Sequence, residues 1–390
     1  MNLKETHSST KRAISLDLAR GFMLLLIVLA HGPLYLYAAE PGVMSRPESV
    51  TIFDTLINSF GELFIDNRAR PMFAVLFGYG LVMIFEKQLS KGISKKEALK
   101  TIRRRCLFLI IFGIILAVFI GGQDILMAYG IAGMILSSLL LRDNKVLIKV
   151  TSIMTLIIIL YLPFVWGSFL NEMGRYGFGS DFSGNESYVQ LVSNAIISFP
   201  IIPVFIHFLF PVIPSVLIGM WAGRKRLLVD SHLHHKELKK IASIGMLISI
   251  IGALPLVMIN NVWEPSFFVA GIILGVHIIT GMAAGIGYAA LFGVIGNLIK
   301  NPGWLVNSLT ALGKRSLTFF VLNETLLVIL LSPVAFDLGG TLNNTGVTLV
   351  AFSLWIIAVI IASILEKFHI NGPLEHLLRH LVNKKQYPEN

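Results

Sequence analysis

Ten apolar stretches, most of them long enough to cross a lipid bilayer, run through this 390-residue chain, and the charged residues gather between them. A spanning α-helix needs about 20 predominantly apolar residues. The stretches lie at roughly 13–38, 70–86, 106–121, 124–141, 147–167, 195–222, 241–259, 266–296, 316–333 and 346–366. Hydrocarbon offers no partner to backbone N–H and C=O groups, so such segments must satisfy them internally as helices. The expected fold class is all-α, a polytopic helical membrane bundle of about ten transmembrane helices. Only 14% of the residues are charged, against about 25% in globular proteins. That is too few to coat a soluble enzyme, and the apolar content excludes a disordered chain. The single cysteine, Cys106, excludes an intramolecular disulfide.

Three segments are ambiguous. Residues 51–66 fit an amphipathic or re-entrant helix before the second span. Residues 187–200 fit an interfacial segment, after which Pro200, Pro203, Pro211 and Pro214 kink the sixth span. Residues 266–299 are long enough for a strongly tilted or a broken helix.

Basic residues orient the bundle. With the N-terminus inside, 27 of the 32 Lys and Arg fall on inner segments, beginning with Lys4, Lys11 and Arg12 and ending with Lys384 and Lys385. Four, Arg46, Arg68, Arg70 and Arg175, fall on outer loops, and Arg20 lies inside the first span. The asymmetry predicts cytoplasmic N and C termini. Membrane orientation thus accounts for the net charge of +10 without nucleic acid as a partner. The basic start followed by an apolar run has the outline of a signal peptide. Asp17 and Arg20 interrupt that run, so it is expected to stay as the first helix.

An ionisable group at mid-bilayer costs about 2.5–3.5 kcal/mol on insertion scales, so each one needs a partner or a function. In the first span, Arg20 and His31 are eleven residues apart. At about 100° per residue this is about 20° past three turns, so both share one helix face, roughly 16 Å apart along the axis. Asp17, one turn before Arg20, is placed to pair with it. The spacing suits a group-transfer site across the membrane. Arg20 would hold an anionic donor near the inner face. A neutral His31, deeper in the membrane, would take a proton from an attacking hydroxyl. A structural reading stands beside it: Asp17–Arg20 anchors the helix and His31 bonds a neighbouring helix.

Other polar groups are candidates for the same cavity. Gln123 and Asp124 sit in "GGQDILMAYG", where a turn explains them equally well. Asp124 could orient a histidine or pair with Arg70. Arg70 lies at the outer start of the second span, next to Arg68. Glu324, beside Asn323 in the ninth span, is an apolar-flanked carboxylate that could pair with an arginine or bind a proton. His207 and His277 suit interhelical hydrogen bonds. There is no H-E-x-x-H, no P-loop, no G-x-G-x-x-G and no G-x-S-x-G, and no catalytic metal is expected. Cys106 follows three arginines, but packing explains it better than catalysis.

Five elements, in order, carry a family resemblance. They are "LDLARGFMLLLIVLAH", "RPMFAVLFGYG", "FGIILAVFIGGQDILMAYGIAG", "LGKRSLTFFVLNE" and "NGPLEHLLRH". Together the chain resembles the YeiB family, including its C-terminal domain of unknown function 418. That family is similar in turn to the transmembrane acyltransferase superfamily, which includes acyltransferase 3. The resemblance implies a ten- or eleven-helix fold with a central cavity entered by acyl-CoA from the cytoplasm. The acyltransferase 3 pattern of arginine, ten residues, histidine falls on Arg20 and His31. His31 stands where YeiB-like chains often carry asparagine, so its role as base is implied by acyltransferase 3 rather than by the nearer family.

The expected function is membrane-embedded acyl transfer from cytoplasmic acyl-CoA, most simply acetyl-CoA, to a hydroxyl or amine of an extracytoplasmic, glycan-like acceptor of the cell envelope. His31, Asp124 and Glu324 are the candidate catalytic residues, and Arg20, Asp17 and Arg70 the candidate donor-binding residues. Residues 1–222 would carry the site and 223–390 the remaining helices and a cytoplasmic tail. Membrane lipids, acyl-CoA and the acceptor are the expected partners, a homodimer is compatible, and a bacterial cytoplasmic membrane is the expected location. Two other classes fit the same residues: a transporter or exporter of a small amphiphile, and a non-catalytic accessory subunit. The enzymatic reading requires Arg20 and His31 to face one water-filled channel.

Overall fold

The computed structural model describes residues 14–180, 182–259 and 261–383. Lys4, Lys11, Arg12, Lys384 and Lys385 of the orientation argument lie outside them. The described residues form α1 (Ile14–His31), α2 (Ile52–Phe64), α3 (Ala69–Ser90), α4 (Lys95–Ile114), α5 (Leu126–Leu136), α6 (Asn144–Met173), α7 (Tyr188–Ser198) and α8 (Ile202–Leu209). They continue with α9 (Ile213–Arg224), α10 (His235–Met258), α11 (Phe267–Leu298), α12 (Trp304–Lys314), α13 (Ser316–Leu331), α14 (Asn344–Lys367) and α15 (Pro373–Asn383). Among these residues there are isolated β-bridges but no strand. The fold is all-α.

Six segments are long and apolar enough to cross a membrane: Ile14–Tyr35, Ile52–Ser90, Asn144–Met173, His235–Met258, Phe267–Leu298 and Asn344–Lys367. Leu126–Leu141 and Ser316–Leu331 are apolar but shorter. On α6, α10 and α14 the outward side chains are large and apolar, among them Leu160, Phe164, Ile251 and Ile360. Hydrocarbon is the solvent such a surface suits, because an exposed apolar area of this extent would associate in water. The chain is a multi-pass membrane protein by these criteria.

The ambiguous segments resolve by local chemistry. Thr51 and Asp54 form a capping box that starts α2 as a helix separate from α3. Its Ile52, Phe53, Leu56 and Phe60 are exposed while Asp54, Gly61 and Glu62 are buried, which is the pattern of an interfacial helix. The expected sixth span, 195–222, is not one kinked helix. It is divided among α7, α8 and α9, with Pro203 and Pro214 at the first turns of the last two. Proline fits there because those N–H groups have no intrahelical partner. Residues 267–298 form one unbroken helix. At 1.5 Å per residue it is about 48 Å long, more than the roughly 30 Å hydrocarbon thickness, so it must tilt or protrude.

α1 is the centre of the bundle and touches α3, α11, α12, α13 and α14. Backbone-to-backbone contact sets its position. A Cβ on Gly313 would lie 1.7 Å from the Asp17 carbonyl oxygen, and one on Gly21 would lie 2.2 Å from that of Leu309. Only glycine allows α12 to approach α1 this closely. Gly78 on α3 and Gly219 on α9 make the same kind of crossing. In lipid, helices associate through such close packing because burial of apolar surface contributes little.

Candidate functional site

Two polar groups lie along α1, one near each end. At its C-terminal end, His31 Nδ1 is 2.7 Å from Glu324 Oε1 on α13. Both residues are buried, Glu324 completely. The chain past His31 winds one 3-10 turn, Gly32–Tyr35, with Pro33 near its start. That turn brings Tyr35 to Glu324, where its hydroxyl donates to Oε2 at 3.3 Å. The same hydroxyl accepts from the Gln123 N–H at 3.0 Å. Glu324 is thus held through both oxygens, and the carboxylate accepts most naturally from an Nδ1–H. That leaves Nε2 as the acceptor nitrogen of the neutral ring.

Asp124 reaches this neighbourhood by a turn. After α4 the helix widens over Ile115–Ile120 and stops at Gly121, whose φ of +81° suits glycine. The Asp124 carboxylate accepts from the N–H groups of Leu126 (2.8 Å) and Met127 (2.9 Å) at the start of α5. A Cβ on Gly113 would fall within 2.8 Å of either Asp124 oxygen, so glycine leaves the room the carboxylate occupies. Asp124 lies within electrostatic range of Glu324 and His31, but its hydrogen bonds go to backbone. The group that touches the imidazole is Glu324. Arg70 stands apart, with its guanidinium 4.3 Å from the centre of the Phe210 ring. The Arg70 carbonyl accepts from Tyr129 Oη at 2.7 Å.

At the other end of α1, Arg20 Nη1 lies 3.4 Å from Asp17 Oδ1, one turn away. The Arg20 side chain is 28% exposed and Asp17 is buried. The guanidinium extends towards Gly80 of α3. Between the two groups, Leu24 and Ile27 occupy the same ridge of α1 and are 1% and 3% exposed within the apolar core. The ridge joining Arg20 to His31 is packed with aliphatic side chains, so the single water-filled channel expected to join the two residues is absent along it.

A further buried charge cluster, not singled out by charge counting along the sequence, lies where α2 and α3 meet α10 and α11. Arg46 binds Asp66 with two hydrogen bonds, Nε–Oδ2 at 2.6 Å and Nη2–Oδ1 at 3.0 Å, and both residues are 2% exposed. Burial alone would push the Arg46 guanidinium down, but the Asp66 and Glu62 carboxylates outweigh it and hold it above its ordinary value. Arg68 is fully buried and donates to Ser249 Oγ (3.1 Å) and His277 Nε2 (2.8 Å). His277 is thus the interhelical hydrogen-bonder its position suggested. Arg46 and Arg68, expected on outer loops, are buried in the interior, and each has a carboxylate or imidazole partner on a neighbouring segment.

Cys106 is buried against Gly133 and packs as expected. His376 and His380 stand four residues apart on the exposed side of α15, but no group of three or more His, Cys, Asp or Glu able to hold a metal occurs among the described residues.

At the N-terminal end of α13, two of the sequence motifs interlock. Glu375 Oε1 accepts from the N–H groups of Leu317 (2.7 Å) and Thr318 (3.2 Å). Thr318 Oγ1 donates to Glu375 Oε2 at 2.5 Å and accepts from the Leu374 N–H at 3.0 Å. "LGKRSLT" and "NGPLE" are therefore halves of one reciprocal cap, which fixes the helix that carries Glu324. Residues 222–385 match the family described as a protein of unknown function (DUF418). The C-terminal region is DUF418-like. Glu324, Thr318 and Glu375 fall inside the DUF418 match, while Arg20, His31 and Asp124 lie before it. The chain is also similar to the Uncharacterized protein YxaH of Bacillus subtilis (strain 168), with 28% identity over 210 residues, 48% of this chain and 51% of that protein. The chain spans about half the length of this curated relative.

Proposed function

We propose that the protein is a membrane-embedded acyltransferase that moves an acyl group, most simply acetyl, from cytoplasmic acyl-CoA to a hydroxyl or amine of an extracytoplasmic, glycan-like acceptor. The carrying observation is the buried His31–Glu324 contact of 2.7 Å. A carboxylate that holds Nδ1–H orients the ring and stabilises the imidazolium formed when Nε2 takes a proton. The acceptor oxygen or nitrogen attacks the thioester carbonyl as Nε2 removes its proton. Collapse of the tetrahedral intermediate breaks the C–S bond, and the imidazolium returns the proton to the leaving thiolate. Asp124 supports the site by fixing the turn that delivers the Gln123 N–H to Tyr35. Arg20, paired with Asp17, faces the donor phosphates. Arg70 supports the outer wall through Phe210 and Tyr129. The acceptor enters beside the cavity of about 460 Å³ bounded by Ala38, Ala39, Glu48, Thr341, Asn343 and Asn344, just past Tyr35.

This reading includes ten spanning helices, both termini on the cytoplasmic side, and a bacterial cytoplasmic membrane. It also requires Leu24 and Ile27 to move when donor binds, since they fill the ridge between Arg20 and His31. That packing favours one competing reading, a transporter of a small amphiphile caught closed between two accesses. Purified protein in proteoliposomes separates the two. Acyl transfer predicts consumption of [1-14C]acetyl-CoA with label passing to added hydroxyl or amine acceptors, and loss of both in His31→Ala. Counterflow of a labelled solute with no acetyl-CoA consumed would replace the enzymatic reading by the transport one.

A further inference from the structure

A polar cavity of about 260 Å³ opens at the inner ends of α12, α14 and α15, away from the His31 group. Lys314, Arg315, His369, Asn371 and Arg379 line it, with Glu366 as the one carboxylate. Whole small-molecule pockets are about 300–1,000 Å³, so this cavity suits the charged end of a larger ligand. Its cations are not equivalent. Arg315 is committed to the fold. Its Nε and Nη2 donate to the Ile370 carbonyl, and its Nη1 donates to the Ala311 carbonyl and to Glu366 Oε2. Lys314 spends one donor, on Glu366 Oε1 at 2.5 Å, and an ammonium has three. Arg379 is exposed and donates to Asn371 Oδ1 at 3.3 Å.

The surrounding charge is unbalanced in the same direction. Gly313, just before Lys314, lies on the Asp17 backbone, so the cavity adjoins the inner end of α1. Arg105 on α4 lies within electrostatic range of both Arg20 and Arg379. Lys314, Arg315 and Arg379 share the cavity, and the carboxylates at it are Glu366, which lines it, and Glu375, which lies against Gly372 of the lining. Glu375 is engaged in capping α13. A concentration of like charge in and around a concave site raises the local population of anions. A planar guanidinium fork beside an ammonium suits phosphate oxygens.

We propose that this cavity is a phosphate-binding site in which Lys314 and Arg379 contact the ligand, Arg315 holds the frame, and Glu366 is the carboxylate that competes with the ligand for Lys314. It rests on the acyltransferase reading only in assigning the phosphate to the thioester donor. The same chemistry is presented by an anionic phospholipid headgroup, and the two sources are separable by experiment.

The test uses the full chain in phosphatidylcholine nanodiscs, with folding of each variant checked by thermal unfolding. Coenzyme A is titrated calorimetrically, and retention of phosphatidylglycerol is read in parallel by native mass spectrometry. Lys314→Gln with Arg379→Ala is expected to weaken coenzyme A binding at least tenfold. Glu366→Gln is expected to tighten it, because the lone carboxylate in the cavity repels the ligand, whereas a purely structural clamp would lose affinity or stability. His31→Ala is expected to bind as the unaltered protein does while failing in transfer. Phosphatidylglycerol retention that follows Lys314 and Arg379, with no coenzyme A binding, would keep the phosphate site and remove the acyl-CoA donor. Binding of either probe indifferent to Lys314 and Arg379, weakening by Glu366→Gln, or no binding of either probe would overturn the site.

Discussion

His31 and Glu324 are 293 residues apart in sequence and in direct contact in the fold. The chemistry proposed for them makes a specific demand on the proton at Nδ1. A carboxylate accepts it, whereas an amide at position 324 can turn its NH2 towards the ring and stabilise the opposite tautomer. Glu324→Gln should therefore lower acyl transfer by on the order of 100-fold or more while leaving helix content and thermal stability nearly unchanged. His31→Ala should lose about 10²–10⁴-fold, the usual worth of a positioned acid–base group. The Arg20–His31 face was legible in the sequence because helix periodicity fixes it within one element. Tyr35, four residues past His31, was not singled out, because it carries no charge and lies on a 3-10 turn after Pro33 that α-helix periodicity does not place. Glu324 was visible as an apolar-flanked carboxylate, yet its partner was not, since the rotation of α13 against α1 is decided by packing. The buried Arg46–Asp66 pair was hidden for a related reason: counting charges by side of the membrane says nothing of burial. Removing one partner of such a pair costs about 3–5 kcal/mol. Asp66→Ala should therefore lower the unfolding midpoint far more than Lys100→Ala, whose partner Glu97 is 54% exposed.

Among elements, the position of α1 depends on the absence of side chains. Gly313→Ala would force a Cβ into the Asp17 carbonyl, and overpacking of this kind costs about 1–3 kcal/mol or more. The expected result is loss of folded protein in a detergent-extraction assay, with Gly303→Ala, where nothing crowds the Cβ, as the tolerated control. The Thr318–Glu375 lock acts on α13 instead. Losing a capping carboxylate costs about 0.5–2 kcal/mol, so Glu375→Ala should reduce stability moderately and impair transfer through a displaced Glu324. Most helices were readable from apolar length alone. Residues 195–222 were not, because a hydrophobic run with four prolines fits a kinked span and three short helices equally well. Local chemistry divided it, with a capping box at Ser187 starting α7 and proline in the first turns of α8 and α9.

For the molecule as a whole, a helix stands at nine of the ten apolar stretches and three at the other, while six segments meet the length and apolarity of a membrane span. The class was legible because bilayer thickness and backbone satisfaction admit few solutions. What joins the two ends of α1 was not, since Leu24 and Ile27 look like any other lipid-facing residues in a sequence. The whole mechanism places donor and acceptor on opposite sides of the membrane. The most direct test supplies [1-14C]acetyl-CoA only to the cytoplasmic face of sealed membrane vesicles and a membrane-impermeant amino sugar only to the other face. The unaltered protein should deliver label to the amino sugar, and His31→Ala should not while remaining inserted. Equal labelling by His31→Ala, or label found only when both reactants share one side, would contradict transfer through this site.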